Sequence, residues 1–272
     1  MKLTIITITL NNRDGLRKTI ESVVSQNFSD YEFVVIDGGS SDCSVDAIKE
    51  YADHIDYWVS EPDKGIYNAM NKGIVKAKGE YIHFLNSGDF LASANVYSRL
   101  LEGDPHQSFI CGNFYLEKNG EQDRVDIYKD ALWNHYLYEL YTGNICHQAF
   151  LIRRDNFSKY GLYDETKRIT ADWKLFFEAI GLNQETVLYK DVDMVIYNTE
   201  GLSSTIGGAV IWEEKKSVFE DLLPPALNKK YSRRYTLEMN SYIIDAVLDN
   251  NWFHRVFRAF LRIGRKIGLL KS

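Results

Sequence analysis

Gly79-Glu80-Tyr81-Ile82-His83-Phe84-Leu85-Asn86-Ser87-Gly88-Asp89 decides the fold. Tyr81 to Leu85 is apolar enough to lie centrally in a sheet, and Asn86-Ser87-Gly88-Asp89 cannot extend it, because Gly and Asn favour turns. Asp89 therefore stands just past the carboxyl end of a strand, where open α/β sheets bind their ligands. A carboxylate in that position can hold a divalent metal, and the metal can hold a phosphate.

Upstream, short apolar runs alternate with helical spacings. Leu3 to Leu10 mixes Thr with Ile and Leu and reads as a strand. Asn11-Asn12 ends it and can cap a helix over Arg13 to Gln26, where Leu16, Ile20, Val23 and Val24 recur on one face. Phe33 to Ile36 is a continuous apolar strand of the kind covered on both faces, followed by the tight loop Asp37-Gly38-Gly39-Ser40-Ser41. Val45, Ile48 and Tyr51 mark a second helix and Ile55 to Val59 a third strand. After the break at Glu61-Pro62-Asp63-Lys64-Gly65, Ile66, Ala69, Met70, Gly73, Ile74 and Ala77 form one helical face. This βαβαβαβ order with short connections predicts an α/β fold with a mostly parallel central sheet and helices on both faces. No G-x-G-x-x-G follows the first strand, which argues against a dinucleotide dehydrogenase.

The second half is less regular. Ser93 to Leu101 reads as a helix, Phe109 to Leu116 as a strand, Ala131 to Tyr141 as an aromatic-rich helix, His147 to Ile152 as a strand and Ala171 to Ile180 as a helix. Val187 to Tyr197 includes a strand. Two further helices, parted near Pro224-Pro225, close the chain.

With 272 residues there is ample material for a core, and 45% hydrophobic with 26% charged residues is the composition of a globular protein. Three scattered cysteines, Cys43, Cys111 and Cys146, argue against a disulfide framework and for a reducing compartment. The amino-terminal stretch is too short and too Thr-rich for a signal h-region, so a cytoplasmic protein is expected. The net charge is −6, yet no acidic residue follows Asp249. Residues 251–272 carry Arg255, Arg258, Arg262, Arg265, Lys266 and Lys271, while Trp252, Phe253, Val256, Phe257, Phe260, Leu261, Gly264 and Ile267 share the opposite helical face. Such a helix reads either as an anionic membrane-surface element or as a terminal helix whose basic face meets the acidic body. An acidic body with one local basic segment does not point to nucleic acid.

Asp37, Asp63 and Asp89 each follow a strand. Singly, each reads as well as a turn or helix cap as it does a ligand. As a set they stand at one edge of the sheet, because parallel strands share a direction, and three independent turns have no need of an Asp each. Lys64 reads as a phosphate partner or a solvated lysine. Asp172, at the start of a helix, reads as a cap or as a general base, and His147 as part of a polar network.

Four stretches together resemble family 2 glycosyltransferases: Thr-Ile-Thr-Leu-Asn-Asn (7–12), Val-Ile-Asp-Gly-Gly-Ser-Ser-Asp (35–42), Asn-Lys-Gly-Ile (71–74) and residues 79–89. The likeness thins after about residue 100 and returns at Cys146-His147-Gln148-Ala149-Phe150 and Thr170-Ala171-Asp172-Trp173. The resemblance implies the GT-A fold and inverting transfer from a UDP-sugar to a hydroxyl of a saccharide acceptor, carried on a lipid if the basic tail meets a membrane. It implies nucleoside contacts from Thr7, Asn11 and Asp37, a place near diphosphate or acceptor for His147, a Mn2+ or Mg2+ ion on Asp89, and Asp172 as catalytic base, while Asp63 and Lys64, at the mouth of the helix after the third strand, are expected to add donor contacts. It divides the chain into a nucleotide-sugar half (1–100), an acceptor and catalytic-base half (101–225) and a C-terminal helical extension (226–272). Two departures matter. Asn86 and Gly88 stand where the family is acid-rich, leaving one carboxylate for a metal. Met70 stands where an Arg is common. One carboxylate suffices for a cation whose other ligands are phosphate oxygens. The alternative is a catalytically silent nucleotide-sugar- or glycan-binding protein of the same fold.

Overall fold

In the computed structural model, which describes residues 1–126, 128–131, 135–199, 201 and 206–248, the first strand is β1 (Leu3–Thr9), buried at every position. Two of its threonines have their hydroxyls satisfied: Thr4 donates to Glu32 at 2.6 Å and accepts from the Gly79 N–H at 2.8 Å, and Thr7 donates to the Leu85 carbonyl at 2.7 Å. On its two sides lie β2 (Tyr31–Asp37) and β4 (Tyr81–Phe84), and β3 (Tyr57–Ser60) extends the sheet beyond β2, all parallel. Helices α1 (Arg13–Val24), α2 (Ser44–Glu50) and α3 (Ile66–Lys76) make the crossovers. The Asn12 side chain caps α1 by accepting from the Gly15 N–H, and α1 buries Leu16, Thr19, Ile20 and Val23. Gly79 opens the approach to β4 because a Cβ there would fall 2.4 Å from the Thr4 nitrogen of β1.

The rest of the chain adds β5 (Phe90–Leu91), α4 (Val96–Leu100), β6 (Phe109–Lys118), β7 (Glu121–Val125), α5 (Leu137–Thr142), β8 (Phe150–Arg153), α6 (Asp155–Tyr160), α7 (Ala171–Phe176) and β9 (Val187–Asn198). The sheet runs β3-β2-β1-β4-β8-β6-β9-β5, with β7 paired to β6. β8 lies antiparallel between β4 and β6 and joins the parallel half to the mixed half. The β6–β7 hairpin turns on Asn119 and Gly120, both with positive φ (53° and 81°), as a two-residue turn of this hand requires.

Two expectations change. His147 does not begin a strand: His147–Ala149 is a turn of 3-10 helix, and β8 starts at Phe150. That turn frees the Gln148 carbonyl to accept from His83 and its amide to reach Asp89. The helix expected over Ala171 to Ile180 is α-helical only to Phe176 and widens into a π-helical segment, Phe177–Leu182.

The chain divides into two compact units, the first Met1–Val218 and the second beginning at Phe219. Helix α8 (Gly208–Leu222) crosses that division and α9 (Pro225–Leu248) follows. Pro224-Pro225 parts them as expected, since a proline is accommodated in a helix's first turn but not in its interior. Among the described residues no helix is long and apolar enough to cross a membrane. Trp133 and the basic tail, residues 251–272, lie outside the described residues.

Candidate active site

The parallel strands β1, β2, β3 and β4 release their carboxyl ends on one rim. Asp37 ends β2 fully buried, accepting from the Ser40 N–H at 3.0 Å and from the hydroxyls of Ser40 and Ser60. Asn11, past β1, has φ 50° and clamps the same loop: its Oδ1 accepts from the Ser41 N–H at 2.8 Å, and its own N–H donates to the Ser40 hydroxyl at 2.7 Å. Asp63 lies against Gly38, where a Cβ would stand 2.8 Å from Asp63 Oδ2, and accepts from Lys72 at 2.6 Å. The structure thus brings Asp37, Asn11 and Asp63 around one glycine-lined loop. Thr7 lies beneath them in the sheet, its hydroxyl spent on Leu85. Lys64 is exposed immediately before α3, its N–H donating to Asn68 Oδ1 at 3.2 Å.

On the other side of β1, Asp89 follows β4. It is 4% exposed and accepts from two neutral donors, the Asn198 N–H at 2.9 Å and the Gln148 amide at 3.0 Å. Burial outweighs these bonds and pushes its carboxyl up to about 6. Behind it, His83 is buried and neutral. Burial lowers its imidazole to about 4. Its Nε2 faces the Gln148 carbonyl, which can only accept, so Nε2 carries the hydrogen and Nδ1 accepts from the Tyr97 hydroxyl, each at 2.8 Å. Tyr97, His83, Gln148 and Asp89 therefore form one continuous hydrogen-bonded line.

A cleft of about 480 Å³ opens beside this line, with Asn86, Tyr67, His147, Gln148, Asp172 and Trp173 among its walls. Asp172, in the first turn of α7, accepts from the Tyr67 hydroxyl at 2.6 Å and meets His147 Nδ1 at 2.8 Å. Burial works to raise the Asp172 carboxyl, but the hydrogen bonds from His147 and from the Tyr67 hydroxyl help to outweigh it, and the group is held below its ordinary range. Burial and the Asp172 charge push the Tyr67 phenol well above its own. His147 Nε2 is buried with no hydrogen-bond partner among the described residues. Lys215 of α8, 3% exposed, reaches in behind Trp173: its ammonium lies 4.4 Å from the indole centroid and donates to the Gly143 carbonyl.

Among the described residues no three His, Cys, Asp or Glu side chains cluster as a self-sufficient metal site. The Asn86–Asp89 turn nonetheless has the chemistry for a divalent cation that brings its own phosphate ligands. Among the described residues Asp89 is a buried carboxylate in no ion pair, and Asn86 Oδ1 is a buried oxygen without a partner.

Tyr67, Gln148, His83 and Lys215 were not singled out as site residues from the sequence. Gln148 sat in a quoted motif, and His83 was the lone imidazole in an apolar strand. Nothing in the sequence marked Tyr67 or Lys215.

The family model described as glycosyl transferase family 2 matches residues 4–161. A PGL/p-HBAD biosynthesis glycosyltransferase of Mycobacterium bovis (strain BCG / Pasteur 1173P2) is 30% identical over 210 residues, 74% of this chain and 79% of that protein. An uncharacterized glycosyltransferase of Mycobacterium tuberculosis (strain CDC 1551 / Oshkosh) is 41% identical over 226 residues, 81% of each chain. Among solved structures, S. aureus TarS residues 1–349 in complex with UDP-GlcNAc superposes with a TM-score of 0.67 at 15% identity, over 87% of this chain and 72% of that one. The mannosyltransferase PcManGT from Pyrobaculum calidifontis, in complex with GDP-Man and Mn2+, superposes with a TM-score of 0.59 at 15% identity, over 99% and 81%. The architecture is that of the GT-A glycosyltransferases, and the chain belongs to glycosyl transferase family 2.

Proposed function

We propose that this chain is an inverting hexosyltransferase that moves a sugar from a UDP-sugar to a hydroxyl of a saccharide acceptor, carried on a membrane lipid, in surface-polysaccharide assembly of the lipopolysaccharide kind. The observation that carries this reading is the Asp172 carboxylate, held ionised at the wall of a cleft that also takes in Asn86 of the acidic turn. UDP and UDP-GlcNAc bound to TarS support a uridine donor, and the glycosyltransferase of PGL/p-HBAD biosynthesis supports a glycan product.

In this reading the loop at Asp37, with Asn11 and Asp63 and with Thr7 supporting it from below, receives the nucleoside, Lys64 meets the donor further along, and His147 stands by the acceptor. Asp89 and Asn86 hold a Mn2+ or Mg2+ ion, as the Mn2+ in PcManGT supports. When bound, that ion supplies Lewis-acid stabilisation of the charge on the departing diphosphate. The acceptor hydroxyl attacks the anomeric carbon from the side opposite the diphosphate, and its proton moves toward the Asp172 centre, a contribution of about 10²- to 10⁴-fold. The protein acts in the cytoplasm, peripheral to the membrane's inner face through residues 251–272. Purified protein is expected to release UDP from at least one of UDP-glucose, UDP-galactose and UDP-GlcNAc when Mn2+ is present. UDP binding with no turnover on any donor under any metal would leave a silent binding protein instead.

A further inference from the structure

We infer that His147 Nε2, oriented by Asp172, is the atom that takes the acceptor's proton. This assignment rests on the transferase reading above and deepens it.

Both oxygens of Asp172 already have partners, the Tyr67 hydroxyl at 2.6 Å and His147 Nδ1 at 2.8 Å. An ionised carboxylate only accepts, so the hydrogen between the two groups sits on Nδ1. A neutral imidazole protonated there carries its lone pair on Nε2. That nitrogen is buried, lacks a partner among the described residues, and belongs to a residue that lines the cleft. Buried polar atoms are rarely left unpaired, and a basic nitrogen left so at a cleft wall is matched by a hydroxyl donor from the ligand.

The ring is also held in place. Its residue opens the 3-10 turn His147–Ala149, pinned by the bond from His83 to the Gln148 carbonyl, and the Phe84 ring meets it edge-on at 6.3 Å. The charged and titratable groups around it are Asp172 from α7, Tyr67 from α3, His83 from β4, Asp89 from the acidic turn, Cys146 beside it and Lys215 from α8. The arrangement is that of an imidazole between a carboxylate and a hydroxyl.

The step balances. A lone pair of the acceptor oxygen forms the bond to the anomeric carbon. The bond from that carbon to the diphosphate oxygen breaks, and its electron pair leaves on the β-phosphate. The hydroxyl proton passes to Nε2, and the Asp172 carboxylate stabilises the imidazolium.

The test uses the full chain with UDP-glucose, UDP-galactose and UDP-GlcNAc, reading UDP release to water as the smallest acceptor. On whichever donor turns over, His147→Ala is expected to lower kcat by about 10²- to 10⁴-fold with KM for the donor within about threefold, since the lost contact is made only in the transition state. Added imidazoles are expected to restore turnover in the order of their basicity. His147→Asn, which keeps an N–H toward Asp172, carries the same test if the alanine variant does not fold, and it should lose as much. A kcat within tenfold of wild type overturns the assignment. So does a raised KM at unchanged kcat, which would make His147 a donor ligand, or a defect that no imidazole relieves. A wild type that releases no UDP from any of the three sugars overturns the proposed function itself. A wild type that turns over while His147→Ala keeps pace overturns this assignment alone.

Discussion

Lys215→Met isolates one buried charge. Burial pushes the Lys215 ammonium from its ordinary 10.5 down to about 7, with the Asp172 charge pulling the other way. A lysine whose folded value is depressed destabilises the protein fully below that value, and the cost fades as pH rises toward 10.5. Between pH 7 and 10.5 the unfolded chain binds more protons than the folded one, so stability climbs with pH. At about 1.4 kcal/mol per pH unit of displacement, the full cost is about 5 kcal/mol, and the part recovered between pH 7 and pH 9.5 is about 3 kcal/mol. Methionine is of similar length and cannot titrate. It also loses the bond to the Gly143 carbonyl and the contact over Trp173, but that loss is the same at every pH. Urea unfolding of both proteins at pH 7 and pH 9.5 cancels all shared titrations. The wild type should gain about 3 kcal/mol on the variant across this interval. A difference that changes by less than about 1 kcal/mol would show that Lys215 stays charged in the fold, and the account of its burial would fail.

Asp172→Asn should lower transfer by about 10²- to 10⁴-fold while sparing UDP binding, because an amide can present its N–H to Nδ1 and reverse the tautomer; full activity would remove Asp172 from the mechanism. Mn2+ with UDP should raise the melting temperature of the wild type, by about 2.7 kcal/mol of stability at a hundredfold excess over Kd. Asp89→Ala should lose the Mn2+-dependent part, and an equal rise in both proteins would place the ion elsewhere. Gly79→Ala should destabilise more than Gly73→Ala. The first methyl meets the backbone of Leu3 and Thr4 at 2.4–2.5 Å, whereas the second meets the Ile6 Cγ2 at 2.5 Å, where overpacking costs about 1–3 kcal/mol. Comparable melting temperatures for the two variants would contradict this. Removing residues 251–272 should release the protein from anionic vesicles, since each basic residue near such a surface contributes about 1 kcal/mol. Unchanged vesicle binding would reject the tail as the anchor.

The parallel half was legible because its strands are short apolar runs stopped by Asn, Asp and Gly, and its helices repeat apolar residues at helical spacing. The mixed half obeys weaker rules. β7 exposes Glu121 through Arg124 to solvent, so no alternation marks it, and its one sign was the Asn119-Gly120 turn. β5 is only two residues long, too short to carry a pattern. The site was legible as separate acids but not as an assembly. Asp63 comes against the loop that follows Asp37 because Gly38 leaves room between neighbouring strands, which parallel order foretells. Tyr67 and Asp172 meet although they lie 105 positions apart, and no spacing rule connects them. The turn at His147 was misread as strand because Ala149 to Ile152 is apolar enough to hide the polar function of the two residues before it.

The tie between Tyr67 and Asp172 also governs how these enzymes can be recombined. Tyr67 is carried by the crossover helix of the half nearer the amino terminus, and Asp172 by a helix of the other half. A chimera that exchanges the first hundred residues to change the donor would bring a foreign helix against Asp172. Unless that helix presents a phenol at the same place, the carboxylate loses one of its two partners and the neighbouring imidazole its fixed attitude. On the proposed function, donor choice and proton transfer are then inherited together, and a productive exchange has to carry the Tyr67 hydroxyl with the loop at Asp37.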